Sequence, residues 1–187
     1  MIKIGEAVPD MEFEIFHKED IKKVKLSDYK GKWIVLAFYP ADFTFICPTE
    51  LAELADKYEE FQKTGAEIIS MSTDTAFVHK AWHDQSPLIK KITYPMGSDP
   101  NHRVCKGFGT HIENEGMSLR ATFIIDPDGI LKAMEVHDNS IGRSAKEILR
   151  KLQAAKFVRE NPVQVCPASW EPGKETLKPG LDLVGKL

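Results

Sequence analysis

The most prominent feature in the pattern of hydrophobic and polar positions is one long apolar run. Residues 33–39, WIVLAFY, carry no charge and are rich in β-branched and aromatic side chains, which predicts a buried strand. Between Leu51 and Phe61 the apolar residues recur at helical spacing, and charged residues occupy the opposite face. The pattern therefore predicts a core strand that passes through a short aromatic loop into a single helix, which ends before Gly65.

The flanking segments predict that this strand belongs to a mixed sheet. Alternating apolar residues at 11–15 and 24–26 predict two short strands around a turn, and the apolar run 66–72 predicts a strand parallel to the first. The remaining predicted elements are a helix capped by Asp74 or Thr75, a short helix after Pro100, a hairpin that turns at 126–129 and a long helix at 140–156. This order predicts an α/β, thioredoxin-like fold with a central mixed sheet flanked by helices.

The C-terminal region is rich in proline and glycine, which prevent any long element beyond residue 157. We therefore predict one domain at 1–157 and an extended C-terminal arm at 158–187. Terminal segments of this kind are usually disordered. This arm also carries Cys166, Trp170 and apolar residues at 181–184, which favours docking of the arm on another surface.

Composition narrows the class of protein. The 187 residues are 42% hydrophobic and 28% charged, with a formal net charge of −3, which is typical of a globular protein and gives no sign of a nucleic-acid partner. No apolar stretch is long enough to span a membrane and the N-terminus lacks the pattern of a signal peptide, so we expect a cytoplasmic protein without membrane attachment. Three cysteines without a C-x-x-C pair indicate transient, catalytic disulfide chemistry rather than structural disulfides.

Cys47 lies at the predicted start of the helix, where Pro48 is suited to the first turn. Free backbone amides and the positive end of the helix dipole stabilise a thiolate there relative to the thiol. A lone cysteine between apolar neighbours can also be a simple packed residue. Thr44 places a hydroxyl one turn before the sulfur, and Pro40 can wall the loop without offering a competing amide, so the spacing favours a reactive thiol.

Arg120 comes directly before the predicted strand 121–125, near the centre of the sheet. A thiolate needs a positive neighbour as well as a helix terminus, and this guanidinium is a candidate. An exposed charge at the end of a strand is the alternative. Cys105 lacks neighbouring capping or turn residues and is predicted to be a packed side chain.

Two weak metal motifs do not lead to a predicted metal or cofactor site. In the helix after Thr75, whose apolar face is predicted to include Phe77, His79 and His83 lie four residues apart, but Lys80 replaces the glutamate of an H-E-x-x-H site. A solvated or hydrogen-bonding face is the simpler interpretation for this histidine pair. The acidic hairpin turn at 126–129 lacks the remaining carboxylates of a calcium loop.

The stretch FYPADFTFICPTEL resembles the active-site segment of the peroxiredoxins, in particular those of the bacterial alkyl hydroperoxide reductase C type. The resemblance continues through STDTAFVHKAWH, RATFIIDPDGI, IGRSAKEILRKLQAA, VCPASW and LDLVGKL, and so covers nearly the whole chain. It implies that Cys47 is the peroxidatic nucleophile, that Thr44 contacts sulfur and peroxide, and that Arg120 fixes both. It also implies that Glu50 and Arg143 orient Arg120.

The resemblance further implies a reaction cycle and its partners. Hydrogen peroxide and alkyl hydroperoxides would be reduced to water and alcohols for antioxidant defence, leaving a Cys47 sulfenic acid that Cys166 of a second protomer resolves as a disulfide. No cofactor is implied in this chain. The electron donor would be a flavoprotein disulfide reductase of the alkyl hydroperoxide reductase F type, or a thioredoxin, and homodimers would assemble to a decamer.

Two rival functions remain open from the residues. A thioredoxin-type disulfide oxidoreductase shares the fold and the position of the cysteine, but Thr44 stands where a C-x-x-C motif would place a second thiol. Such relatives also carry a proline before the strand at Ala121, where this chain has Arg120. A ring-forming holdase with incidental cysteines is the second rival.

Overall fold

The apolar run at residue 33 becomes the central strand of the fold in a computed structural model that describes residues 2–186. The strands are β1 (Glu12–His17), β2 (Asp20–Lys25), β3 (Trp33–Phe38), β4 (Ala66–Ser72), β5 (Met96–Ser98), β6 (His111–Ile112), β7 (Met117–Ser118), β8 (Arg120–Ile125) and β9 (Leu131–His137). The helices are α1 (Cys47–Asp56), α2 (Tyr58–Lys63), α3 (Ala76–Gln85), α4 (Arg103–Phe108) and α5 (Ala145–Glu160).

Strand order in the main sheet is β2-β1-β5-β4-β3-β8-β9, and β6 and β7 pair separately. β3 runs parallel to β4 and antiparallel to β8, so the predicted mixed sheet is confirmed. In the antiparallel pair, Phe38 lies opposite Ala121. This register brings the first residue of β8 to the carboxyl end of β3, where the chain turns towards α1.

Side chains of β3 alternate between two buried clusters on the two faces of the sheet. Trp33, Val35 and Ala37 pack with residues of α1, α2, α3 and α5 on one face. Their neighbours in the strand pack on the other face with residues of α4. Because both faces are covered, the central strand is apolar throughout, as a doubly buried strand must be. The predicted thioredoxin-like fold is confirmed.

The sequence predicted a single helix after the core strand. The structure instead divides this helix at Lys57. This residue has φ −105° and ψ 3°, which ends α1 at Asp56, and α2 begins at Tyr58. Tyr58 and Phe61 of α2 are still buried, so the apolar spacing survives the break. On α3, Phe77 was predicted to face inward and is instead 73% exposed.

The last helix begins later and ends later than the predicted range of 140–156. Ser144 caps α5 by accepting a hydrogen bond from the Glu147 amide at 3.4 Å, and the helix continues to Glu160. Residues 140–143 therefore form a loop. Arg143 lies in that loop and not inside the helix, where the predicted range placed it.

The arm after α5 contains no long element within its described residues, as predicted. An isolated bridge joins Val165 to Leu177, and Trp170 is buried against Phe157 of α5 with ring centroids 4.9 Å apart. Arg150 donates to the Trp170 carbonyl at 3.0 Å. The first part of the arm thus docks on the chain's own last helix. Among residues 2–186, no helix has the length and apolar character needed to cross a membrane.

Candidate active site

Three elements meet around Cys47 at the carboxyl end of β3. Cys47 is the first residue of α1 and is fully buried, with Pro48 in the first turn as the sequence predicted. Arg120 is the first residue of β8, and the antiparallel register of β8 on β3 sets its guanidinium against the start of α1. Sheet pairing therefore brings together a thiol and a cation that are far apart in the chain.

Arg120 donates four hydrogen bonds and only 3% of the residue is exposed. Its Nη1 donates to Cys47 Sγ at 3.3 Å and to Glu50 Oε2 at 2.6 Å. Its Nε donates to the Asn139 carbonyl at 2.9 Å, and its backbone amide donates to Asn139 Oδ1 at 3.2 Å. One cation therefore serves both the sulfur and a carboxylate in a fixed geometry.

Arg143 fixes the same carboxylate from the opposite side. Its backbone amide and its Nε donate to Glu50 Oε1 at 2.8 and 2.9 Å, and its Nη2 donates to Glu50 Oε2 at 3.2 Å. Its Nη1 donates to the Ala121 carbonyl at 2.8 Å and to Thr122 on β8. Glu50 is thus gripped between two arginines, which gives Arg120 a rigid partner.

The buried cluster of Arg120, Arg143 and Glu50 has one more positive than negative charge. Burial alone would raise the pKa of Glu50, but hydrogen bonds and charge from Arg143, with a contribution from Arg120, outweigh it and hold that pKa below its ordinary value. Glu50 is therefore ionised at neutral pH. Two buried guanidinium groups against one carboxylate leave a net positive charge next to Cys47 Sγ, which a thiolate would balance.

The loop between β3 and α1 carries the other two predicted site residues. Pro40 is buried at the end of β3. The Thr44 hydroxyl donates to the Ala41 carbonyl at 2.8 Å, so its oxygen lone pairs remain as acceptors. Its contact with sulfur and peroxide stays a prediction. Phe45 in the same loop is 92% exposed.

A buried polar network under this loop was not predicted. Tyr39 donates to Asp42 Oδ1 at 2.7 Å, and His79 Nδ1 lies 2.7 Å from Asp42 Oδ2. The other ring nitrogen of His79 is 2.9 Å from the Gly97 carbonyl. Burial, and then the Asp42 carboxylate, raises the pKa of Tyr39 well above its ordinary value. The sequence suggested either a metal site or a solvated or hydrogen-bonding face for the histidine pair. His79 forms hydrogen bonds, and it does so in the interior of the protein.

The two other cysteines lie in different surroundings, and all three are free thiols. Cys105 is packed in α4, as predicted; burial and the Asp99 carboxylate raise its pKa to about 12. Cys166 is half-buried in the arm, where Sγ faces the Ala154 carbonyl of α5 at 3.9 Å. Burial raises the pKa of Cys166, opposed by the charge of Arg150.

Asn139 is the site residue that sequence reasoning missed. It follows β9 and accepts from Arg120 through both its side chain and its carbonyl. Its neighbours Asp138 and Ser140 indicate only a turn. An asparagine in a turn is so common that nothing in the local pattern marks it as a partner for a distant arginine.

Fold and site together define a class: a thioredoxin-like redox protein whose buried thiol opens a helix and is bonded by a buried arginine. The AhpC/TSA family model matches residues 4–134, and the chain belongs to this family, that of the peroxiredoxins. A second model, described as the C-terminal domain of 1-Cys peroxiredoxin, matches residues 154–185, which include Cys166. The prediction of a peroxiredoxin enzyme is confirmed.

Individual relatives agree over most of the chain. Alkyl hydroperoxide reductase C of Staphylococcus aureus (strain Mu50 / ATCC 700699) is 54% identical over 170 residues, covering 91% of this chain and 90% of that protein. The crystal structure of Enterococcus faecalis AhpC matches with a TM-score of 0.86 at 43% identity, over 89% of this chain and 100% of that one. The reduced 2-Cys peroxiredoxin of Plasmodium vivax gives a TM-score of 0.91 at 32% identity, over 96% of this chain and 94% of that one.

Proposed function

We propose that this peroxiredoxin reduces hydrogen peroxide and alkyl hydroperoxides with Cys47 as the nucleophile. The proposal rests on one observation: in a buried site, Arg120 Nη1 donates hydrogen bonds to both Cys47 Sγ and Glu50. The cluster carries a net positive charge until a thiolate forms, so it stabilises the reactive form of the sulfur. The names of the S. aureus and E. faecalis relatives support peroxide as the substrate class.

In the proposed chemical step, the Cys47 thiolate attacks one oxygen of the hydroperoxide and the O–O bond breaks. Sulfur gains that oxygen as a sulfenic acid, and the leaving oxygen takes a proton to become water or an alcohol. Arg120 stabilises the charge that moves from sulfur to the leaving oxygen, and the free lone pairs of Thr44 accept a hydrogen bond from the hydroperoxide. Pro40 closes the wall of the pocket.

We further propose that Cys166 of a second protomer resolves the sulfenic acid. Its thiol attacks the Cys47 sulfur, which forms a disulfide and releases water. Cys47 is fully buried in the folded site, so the first turn of α1 must unwind before the two sulfurs meet. An external dithiol then reduces the disulfide; a flavoprotein disulfide reductase of the alkyl hydroperoxide reductase F type or a thioredoxin supplies the electrons.

One assay tests the nucleophile. We expect Cys47→Ser to abolish peroxide consumption with a dithiol donor, whereas Cys105→Ser, the matched buried control, keeps it. With Cys166→Ser, one equivalent of peroxide should add one oxygen atom to the reduced protein by intact mass. Full peroxide consumption by Cys47→Ser would remove the proposal.

A second experiment tests the pairing of the disulfide. Oxidised wild-type protein should run as a dimer on a non-reducing denaturing gel, and Cys166→Ser should remove that band while it retains one turnover. An oxidised monomer with an internal Cys47–Cys166 bond would contradict a disulfide between protomers but leave the nucleophile intact.

Assembly of homodimers into a decamer is the last part of the proposal. Exposed apolar side chains next to the active-site loop support it, because a contiguous exposed apolar patch often marks a protein–protein interface. Phe43 is 53% exposed and lies 5.9 Å, centroid to centroid, from Trp82 of α3, the helix that also carries the exposed Phe77. Unwinding of α1 at Cys47 would move this loop and so disturb an interface formed by these residues.

A further inference from the structure

A group of metal-ligating side chains lies away from Cys47, where the β1–β2 turn meets α3. Glu19 of the turn, with His83 and Asp84 of α3, offers one nitrogen and two carboxylate oxygens, all within 4.8 Å of one another. Two carboxylates and an imidazole are a donor set that suits divalent transition metals such as zinc. The sequence could not show this set, because Glu19 is distant in the chain.

His83 is oriented as a metal-binding histidine is. Its Nε2 lies 3.1 Å from the Ile92 carbonyl, which can only accept, so Nε2 carries a hydrogen and Nδ1 is the ring nitrogen that a metal ion could use. Nδ1 is shielded from solvent and has no hydrogen-bond partner among residues 2–186. It points to Glu19, whose Oε1 is 4.0 Å away. A buried acceptor without a donor is costly, and a cation would satisfy it.

The two carboxylates already hold a cation. Lys80 Nζ donates to Glu19 Oε2 at 3.1 Å and to Asp84 Oδ2 at 2.8 Å. The Lys80 side chain is 40% exposed, so its ammonium can swing into solvent and leave both carboxylates in place. Lys80 makes no hydrogen bond to His83 Nδ1. The lysine therefore bonds the two carboxylates, and the imidazole nitrogen has no partner among the described residues.

We propose that Glu19, His83 and Asp84 bind a divalent transition-metal ion of the zinc class in competition with Lys80. Bonds of ~2.0–2.2 Å to a central ion require donor atoms that are closer together than in the free site, by roughly 1 Å. Glu19 and Asp84 are exposed and can make this movement. The ion would join the β1–β2 turn to α3 without taking part in peroxide chemistry, so this proposal is independent of the proposed function.

Calorimetric titration with zinc chloride tests the site. The full-length chain is used with Cys47→Ser and Cys166→Ser, so that reactive thiols do not bind the probe. We expect one zinc per chain, an affinity loss of more than roughly tenfold in His83→Ala and in Asp84→Asn, and tighter binding in Lys80→Met. Asp84 is exposed, so its variant keeps the test valid if His83→Ala misfolds. His17→Ala, a nearby histidine outside the donor set, is the control and should bind as the parent does.

Two results would overturn the proposal. One is the same zinc affinity in the parent, His83→Ala and Asp84→Asn. The other is no saturable binding up to millimolar zinc in either the parent or Lys80→Met. The imidazole signals of His83 in an NMR spectrum provide a direct readout: at constant pH, ligation at Nδ1 should shift them on titration while those of His17 stay unchanged.

Discussion

At the scale of single residues, Arg120 depends on the shape of a guanidinium. Its Nη1 bonds Cys47 and Glu50 while its Nε bonds the Asn139 carbonyl, and an ammonium group cannot reach all three acceptors. We therefore expect Arg120→Lys to lower kcat/KM for peroxide about 100-fold or more, in the range seen when one donor to a developing charge is lost. Stopped-flow measurement of Cys47 oxidation would show it.

Arg159→Lys is the control for this change. Arg159 also bonds two carboxylates, but it lies on α5 and pairs with Asp126 and Asp128 near the surface. It should keep wild-type kinetics. Equal rates for wild type and Arg120→Lys would show that the positive charge alone, without the fork geometry, activates the thiol.

Glu50 makes stability depend on pH. Its pKa is lowered in the folded protein from the ordinary value of 4.5, so its contribution is fully present above that value and is lost as the pH falls through the lower folded pKa. Replacing one partner of a buried ion pair costs about 3 kcal/mol. We expect Glu50→Gln to lower the unfolding free energy by about that amount at pH 7, and the gap to wild type to narrow below pH ~4.5.

Urea unfolding at a series of pH values provides the measurement. Glu59→Gln, an exposed glutamate on α2, should follow the wild-type curve at every pH. A gap between Glu50→Gln and wild type that stayed constant down to pH ~3 would mean that Glu50 does not titrate with a lowered pKa.

At the scale of elements, sequence periodicity predicted the limits of the long central strand better than those of the helices, and it did not predict the short strands β5, β6 and β7. Strand β3 has an uninterrupted apolar run with a charged turn before it, so its limits are visible. The break at Lys57 is not, because the apolar spacing continues through Tyr58 and Phe61 and only the backbone angles change. Helix propensity does not reveal this break, because lysine is a good helix former.

The start of α5 shows a second limit. Arg143 lies in a loop because its backbone amide and side chain bond Glu50 of a distant helix. Local sequence offers Ser140 and Ser144 as equally suitable caps, and only the long-range bonds select Ser144. The candidate role of Arg143 therefore came from the family resemblance, not from the residues around it.

The structure of the arm leads to a prediction about overoxidation. In the proposed cycle, the first turn of α1 either unwinds so that the Cys47 sulfenic acid meets Cys166, or the sulfenic acid reacts with a second peroxide in the folded site. Beyond α5 the described arm has one short 3-10 turn at Leu181–Leu183, and Leu181 is 93% exposed there, so no stable helix of the described arm pins α1 in its folded state. We expect disulfide formation to outrun sulfinic acid formation until peroxide is in large excess.

Mass spectrometry of Cys47 during turnover at rising peroxide measures the competition. Cys166→Ser, which cannot resolve the sulfenic acid, gives the upper limit of sulfinic acid at each concentration. Substantial sulfinic acid in wild type at near-stoichiometric peroxide would show that something other than the arm holds the folded site.

At the scale of the whole molecule, the site is built from three segments that are distant in the chain. They are the start of α1, the first residue of β8, and the connection between β9 and α5, which carries Asn139 and Arg143. These segments meet because the strands pair in the order β4-β3-β8-β9. Sequence alone identified Cys47 and Arg120 as candidates from local chemistry. It could not predict that Asn139 joins them, since that contact is a property of the sheet register.

Assembly should respond to the redox state. If unwinding at Cys47 moves the loop that carries Phe43, an interface on that loop weakens in the oxidised protein. We expect sedimentation to show smaller species after oxidation. Phe77→Glu should dissociate the reduced protein, whereas Ile4→Glu, another exposed apolar position, should leave it assembled. Identical distributions of reduced and oxidised protein at all concentrations would contradict this coupling.

The burial of Cys105 has a consequence for measurement. Its sulfur is enclosed in α4, and with a pKa of about 12 almost none of it is thiolate at neutral pH. We therefore expect an alkylating reagent to modify Cys105 only when the core around α4 opens, whereas unwinding of the first turn of α1 would be enough to expose Cys47. The ratio of the labelling rates of Cys47 and Cys105 should thus separate local opening of the active site from global unfolding in a single sample.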